Sequence, residues 1–420
     1  MDAGNPGGPG DPAPPAKTPG PWPTTAALNY TATYGLGFVQ SVGVDDAYNI
    51  WLLNGDQISV LRPGTDKPVS VRGIGQASGG FGVDRLATGS TVICGGAANQ
   101  AYVGYATTET RGWIPLDSVQ NPEFMKGDMD IVQLNPNGTI SLTEHLWRSA
   151  GSSQPWPQLH IGIHNSNDWR YDEDRTVLVC KKVMHGRDKG ELYIGTNHGV
   201  TRIRGGQYNS HRHPDWYECV DKSRPCVDEN GVPNAPAILR MAYSYGLGIA
   251  RDGDVLIGND WMIGITSPPA ALDKWDDIGS VPWKLKTHNQ ALHAELAVTE
   301  FDYWRGFEQT TDGNYYVGSN QYGLWQMTPR PGVTDPATWV RISGLPTSAI
   351  NALAATNDGS LYIGTDNAGL WRMDPQKKFS KVSGVTGSRV REGGLVYDPT
   401  VSPAMLYVLT NDALTVLRIP

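Results

Sequence analysis

FEQTTDGNYYVGSNQYGLWQMTP, residues 307–329, and LAATNDGSLYIGTDNAGLWRMDP, residues 353–375, align without a gap at an offset of 46 residues. Both carry Asp-Gly, Tyr-aliphatic-Gly-Ser/Thr, Gly-Leu-Trp and Met-x-Pro. A third copy starts at Leu247 (LGIARDGDVLIGNDWMIGIT) and a fourth covers Gly190–Gly205 (GELYIGTNHGVTRIRG). Fainter copies start at Asn49 (NIWLLNGDQISVLRP), Thr91 (TVICGGAANQAYVGY) and Met405 (MLYVLTNDALTVLRI), which makes seven units.

Each unit reads as a stack of antiparallel strands. A short apolar run ends in Asp-Gly, a two-residue hairpin signal. An alternating run such as Leu361–Gly364 follows, then a turn, then a strand such as Gly369–Met373. A further strand with an aromatic residue, as in Trp339–Ile342, comes later. Seven such units predict an all-β, seven-bladed β-propeller of four-stranded antiparallel blades over residues 24–420. The last unit reaches Pro420 after its third strand, and residues 27–33 (ALNYTAT) read as an orphan strand. An N-terminal strand that completes the last blade would leave no open sheet edge.

Residues 1–23 hold thirteen Gly or Pro and few aliphatic side chains. Such a segment buries too little apolar surface to offset its ordering entropy, so it reads as a disordered Gly/Pro-rich tether. It lacks the apolar core of a signal peptide. Tethers of this kind follow a removed export signal or a lipid-anchored cysteine, which implies an extracellular or periplasmic protein.

The 420 residues include 50 Gly, 30 Pro and 14 Trp, with a net charge of −8. An acidic chain without a Lys/Arg block argues against a nucleic-acid partner. No apolar run is long enough for a transmembrane helix. Cys94 and Cys180, in the apolar runs TVIC and TVLVC, read as buried free thiols. Cys219 and Cys226 could close a short loop or remain two separate thiols.

The pattern of Tyr362–Thr365 and Gly369–Met373 resembles the two-component regulator propeller repeat. The resemblance is clearest over residues 190–375. It implies a β-propeller of the kind found as the periplasmic sensor part of hybrid histidine kinases and in free-standing secreted proteins. It names no catalytic residue, and fold does not fix function.

Strand order puts the links between successive blades on the same face as the turns between second and third strands. Three consecutive links are long: about 148–175, 221–243 and 288–304. Loops of that length in a compact domain often carry function. They and the adjoining turns hold His160, His164, Trp169, His198, Trp261, His288, Tyr303, Trp304, Arg305 and Tyr322 as candidate ligand-binding residues. Two readings follow. One is a binding module for a glycan or protein ligand. The other is an enzyme resembling a polysaccharide lyase, with Tyr243, Tyr245 or His160 as base and Arg305 neutralising the developing charge. A cofactor is not expected; if a divalent metal is held, His160, His164, His198 and His288 are its candidate ligands.

Overall fold

The computed structural model describes residues 23–55, 57–72, 90–105, 129–146, 177–196, 199–205, 207–212, 216–219, 237–240, 244–258, 263–266, 304–327 and 339–419. The chain enters through β1 (Ala27–Asn29) and a short helix, α1 (Tyr30–Tyr34). Next comes a four-stranded sheet of β2 (Ser41–Val44), β3 (Ile50–Asn54), β4 (Gln57–Leu61) and β5 (Val69–Arg72). The following sheet holds β6 (Ser90–Gly95), β7 (Gln100–Tyr105), β8 (Met129–Leu134) and β9 (Ile140–Leu146). Then come β10 (Val177–Lys182), β11 (Leu192–Thr196), β12 (Gly199–Arg204) and β13 (Gln207–Arg212). A separate hairpin, β14 (Trp216–Cys219) and β15 (Ala237–Arg240), precedes a three-stranded sheet of β16 (Gly246–Ile249), β17 (Val255–Gly258) and β18 (Ile263–Thr266). Two more four-stranded sheets consist of β19 (Trp304–Gln309), β20 (Tyr315–Ser319), β21 (Leu324–Met327) and β22 (Trp339–Ile342), and of β23 (Ile350–Ala355), β24 (Leu361–Thr365), β25 (Leu370–Met373) and β26 (Phe379–Lys381). The closing sheet holds β27 (Val390–Asp398), β28 (Ala404–Thr410), β29 (Leu414–Ile419) and, at its outer edge, β1.

This is an all-β propeller of antiparallel blades, with a correction to the count. Six blades have four strands, not seven: among the described residues the repeat at Leu247 forms only the three-stranded β16–β18 sheet. The first strands pack side by side in a circle, β2 on β6, β6 on β10, then β16, β19, β23, β27 and back to β2.

The repeated residues have distinct physical duties. The Asp-Gly turn is not the two-residue hairpin expected. Gly313 N–H donates to Thr310 O at 3.0 Å, Thr310 N–H donates to Asn314 O at 3.1 Å, and Gly313 alone takes a positive φ of 83°. That is a type I turn ending in a left-handed glycine, which closes a longer loop. The glycine of Tyr-aliphatic-Gly does something different, since it lies inside a strand. A Cβ on Gly318 would come within 2.5 Å of Ile350, and one on Gly364 within 2.5 Å of Val390. Each thus admits the first residue of the next blade. Trp325 is fully buried in the seam with Phe307, and its Nε1–H donates to Tyr322 O at 3.0 Å. Trp371 repeats this bond to Ala368 O at 3.2 Å but is only half-buried.

The thiol reading is overturned. Cys94 and Cys180 form a disulfide, with Cα atoms 5.9 Å apart and a sequence separation of 86. Neighbouring first strands β6 and β10 bring them within bridging range. In the chain-entropy picture a loop of that length is worth about 4–5 kcal/mol. The side chains of Cys219 and Cys226 lie outside the described residues, as does the tether before Pro23.

The closing strand is shorter than expected. Ala27, Leu28 and Asn29 pair with Leu417, Val416 and Thr415 of β29. The chain then turns helical because the Asn29 side chain accepts from Ala32 N–H at 2.9 Å, an N-cap bond, and Gly35 ends the helix in the left-handed region. The turn drives Tyr30 into the seam beside Val42, Tyr48 and Tyr407, where it is fully buried. Deleting residues 24–34 removes both the ladder and this aromatic, whose loss alone is worth about 3–5 kcal/mol. Thermal denaturation followed by circular dichroism should show a sharply lower melting temperature; an unchanged one excludes this closure.

Candidate functional site

The circle of first strands encloses an axial cavity of about 570 Å³. Its walls are β2, β6, β10, β16, β19, β23 and β27. One end, here the link end, carries the connections between blades. The expected sharing of that face is visible in its hydrogen bonds: Gly323 N–H donates to Ser348 O, Gly369 N–H to Ser388 O and Asn411 N–H to Arg389 O. The first two bonds dock a second-to-third-strand turn on the link that follows it, and the third docks the β28–β29 turn on the link that leads into β27.

Three arginines gather at the link end. Arg305 of β19 forms an ion pair with Glu392 of β27. Arg389 pairs with Asp366 at 2.9 Å. Arg391 lies with its guanidinium 5.1 Å from the centre of the exposed Phe38 ring. Burial pushes Arg391 below the usual arginine range; Glu392 opposes this and the like charge of Arg389 adds to it. Arg305, Arg389, Arg391, Glu392 and Tyr245 all line the cavity.

The opposite, hairpin end holds a second set. Lys181 Nζ lies 2.5 Å from Glu308 Oε1 and also donates to Phe307 O at 3.3 Å. His185 Nε2 lies 4.0 Å from Glu308 Oε2. Glu308 is buried, which raises its carboxyl value, but the charges of Lys181 and His185 and their hydrogen bonds outweigh burial and hold it below the ordinary range. His185 Nδ1 and Arg251 Nε and Nη2 are buried without a hydrogen-bond partner among the described residues.

Of the residues singled out from the sequence, the structure brings Tyr245 and Arg305 to one cavity. Trp304 is a correction: it is 4% exposed and packs with Phe307 and Trp325, so it fills the blade core and has no face left for a ligand. Tyr322 sits half-buried in the β20–β21 turn, outside the cavity wall; its N–H donates to Ser319 Oγ at 2.7 Å and its carbonyl holds Trp325. His160, His164, Trp169, His198, Tyr243, Trp261, His288 and Tyr303 lie outside the described residues. Among the described residues no group of His, Cys, Asp and Glu is arranged to hold a metal ion. Lys181, His185, Glu308, Arg389, Arg391 and Glu392 were not singled out, because they belong to no repeated motif.

With this geometry in hand, the likenesses to known proteins are informative about fold. No protein-family model matches the chain, and no curated protein does. Solved structures do. The extracellular domain of the hybrid two component system protein BT3049 from B. thetaiotaomicron matches 91% of the chain at 13% identity and a TM-score of 0.50. The chain spans 40% of that domain's length. The streptogramin B lyase structure matches 94% of the chain and 97% of its own at 9% identity and a TM-score of 0.50. YCF48 bound to D1 peptide matches 96% of the chain and 100% of its own at 10% identity and a TM-score of 0.50. All three show a shared fold. The first agrees with the resemblance carried by the repeat. No helix among the described residues is long and apolar enough to cross a membrane.

Glu308 offers a direct check of the hairpin end. Because its folded value lies below its unfolded one, its contribution is present above about pH 4.3, the ordinary glutamate value, and is lost as pH falls through the folded value. Glu308→Gln should cost about 1–3 kcal/mol at pH 7, the scale of a charged hydrogen bond, and flatten the acid limb of stability. Urea denaturation at pH 7 and pH 3.5 measures both; an equal loss at the two values refutes the assignment.

Proposed function

We propose that the protein is an exported β-propeller that works as a binding module and takes its ligand at the link end of the axial cavity. The observation that carries this reading is the convergence of Arg305, Arg389, Arg391 and Tyr245 on one cavity mouth, with the exposed Phe38 beside Arg391. Ligand sites are concave, largely apolar and marked by a few convergent polar groups, and a volume of about 570 Å³ is in their range. The ligand is a glycan or a protein segment that enters from the link end. We take the β16–β18 sheet as the seventh, reduced sector of the ring.

Export is supported by the Cys94–Cys180 disulfide, since such bonds persist in oxidising compartments. In protein recovered from its native fraction, Cys94 and Cys180 should resist alkylation until a reductant is added; labelling without reductant argues against export.

The binding reading is tested by a thermal-shift screen of glycans and peptides, followed by titration of hits into wild type and Arg305→Ala. A loss of at least about tenfold is expected for a charge-assisted contact. Hits whose affinity ignores Arg305→Ala move the site elsewhere, and an empty screen removes the reading.

The lyase alternative keeps one observation in its favour: Tyr245 and Arg305 line the same cavity. A phenolate base and a cation for the enolate-like charge are what proton abstraction beside a carboxylate requires. Absorbance near 235 nm should then rise with a uronate polymer and fail to rise with Tyr245→Phe.

A further inference from the structure

The closing sheet departs from its neighbours at one place. In β10, β19 and β23 the register slips once near the link end, with two residues set against one: Val177 to Val179, Trp304 to Gly306 and Ile350 to Ala352. In β27 the slip runs from Val390 opposite Thr410 to Leu395 opposite Val408, five residues against two. The inserted stretch is Arg391-Glu392-Gly393-Gly394. It adds no apolar side chain, and Gly393, at φ 62°, lets the chain turn back. Gly394 is equally constrained, since a Cβ there would fall 2.6 Å from Leu409 O. Bulges re-aim side chains, and they are common beside functional sites.

What this bulge aims is Glu392. It reaches Arg305 on β19, passing the β23 sheet that stands between them and lines the cavity with Ala352, Leu353, Ala354 and Ala355. The Arg305 side chain is 16% exposed and the Glu392 side chain 51% exposed. An ion pair this open to water is weak and easily exchanged.

Resting on the binding reading above, we infer that Glu392 is a built-in stand-in for a ligand carboxylate: its pair with Arg305 latches the link-end mouth, and a small sugar acid opens it by taking the place of Glu392 on Arg305, with Arg391 alongside. The planar guanidinium fork matches a carboxylate in both shape and charge. The cavity volume sets the size class, that of a small molecule rather than a folded partner.

The experiment is calorimetric titration of digalacturonate, its methyl ester and the dipeptide Glu-Glu into wild type, Glu392→Gln and Arg305→Ala. Removing the competing carboxylate should tighten digalacturonate binding about two- to fivefold in Glu392→Gln, the worth of an exposed pair. Arg305→Ala should weaken it at least about tenfold, and the ester should not bind. Binding that is unchanged or weaker in Glu392→Gln, or an ester that binds as well as the acid, overturns the latch. Glu-Glu binding in place of digalacturonate, with the same gain in Glu392→Gln, overturns the sugar-acid assignment. If hits from the screen depend on Arg305 but ignore Glu392→Gln, the latch falls and the binding reading stands.

Discussion

A propeller depends on closing its circle. Each sheet buries both faces against its neighbours, so a gap anywhere would expose two seams at once. Here the gap is shut by the two ends of the chain. Arg418 N–H donates to Ala26 O at 3.0 Å, the Arg418 guanidinium donates to Thr24 O at 2.8 Å, and Leu414 N–H donates to the Thr31 hydroxyl at 2.9 Å. The ladder itself is only three residue pairs long. What makes it sufficient is α1, which follows at once and plants Tyr30 in the seam between the first and closing sheets. Backbone pairing sets the register, and the buried ring supplies much of the free energy.

The repeat was legible because its residues answer to local and nearest-neighbour demands. Asp312 and Asp358 cap their own turns, accepting from the N–H of Asn314 and Ser360 at 3.1 Å, so the need for these letters is met within the turn itself. Gly318 and Gly364 answer to the next blade, one unit away. The two-residue turn was misread because Asp-Gly marks a left-handed glycine without saying how many residues come before it. Residues 27–33 were misread as one strand because alternation continues past Asn29, while the cap that ends the strand is a side-chain hydrogen bond.

The candidate site was far less legible, for a reason rooted in the ring. Arg305, Glu392, Lys181 and Glu308 meet across the cavity from first strands that are not adjacent, and no spacing in the sequence encodes that. Trp304 fell on the wrong side of the argument because β19 begins at that residue, three positions before the visible repeat. The cysteines followed the same rule: their sequence separation is 86, and only the packing of β6 on β10 makes them neighbours. One strand, β19, carries a residue of both of these ion pairs, Arg305 at one end and Glu308 at the other.

The bridge between Cys94 and Cys180 also changes what a break in the backbone would mean. A protease that cuts between residues 95 and 179 severs the polypeptide without releasing a fragment, because both pieces remain tied through sulfur. The ring would stay a single covalent molecule outside a reducing environment, and its halves would part only when electrons are supplied. In a compartment rich in proteases and poor in thiols, that tolerance of nicking is a form of durability distinct from resistance to unfolding.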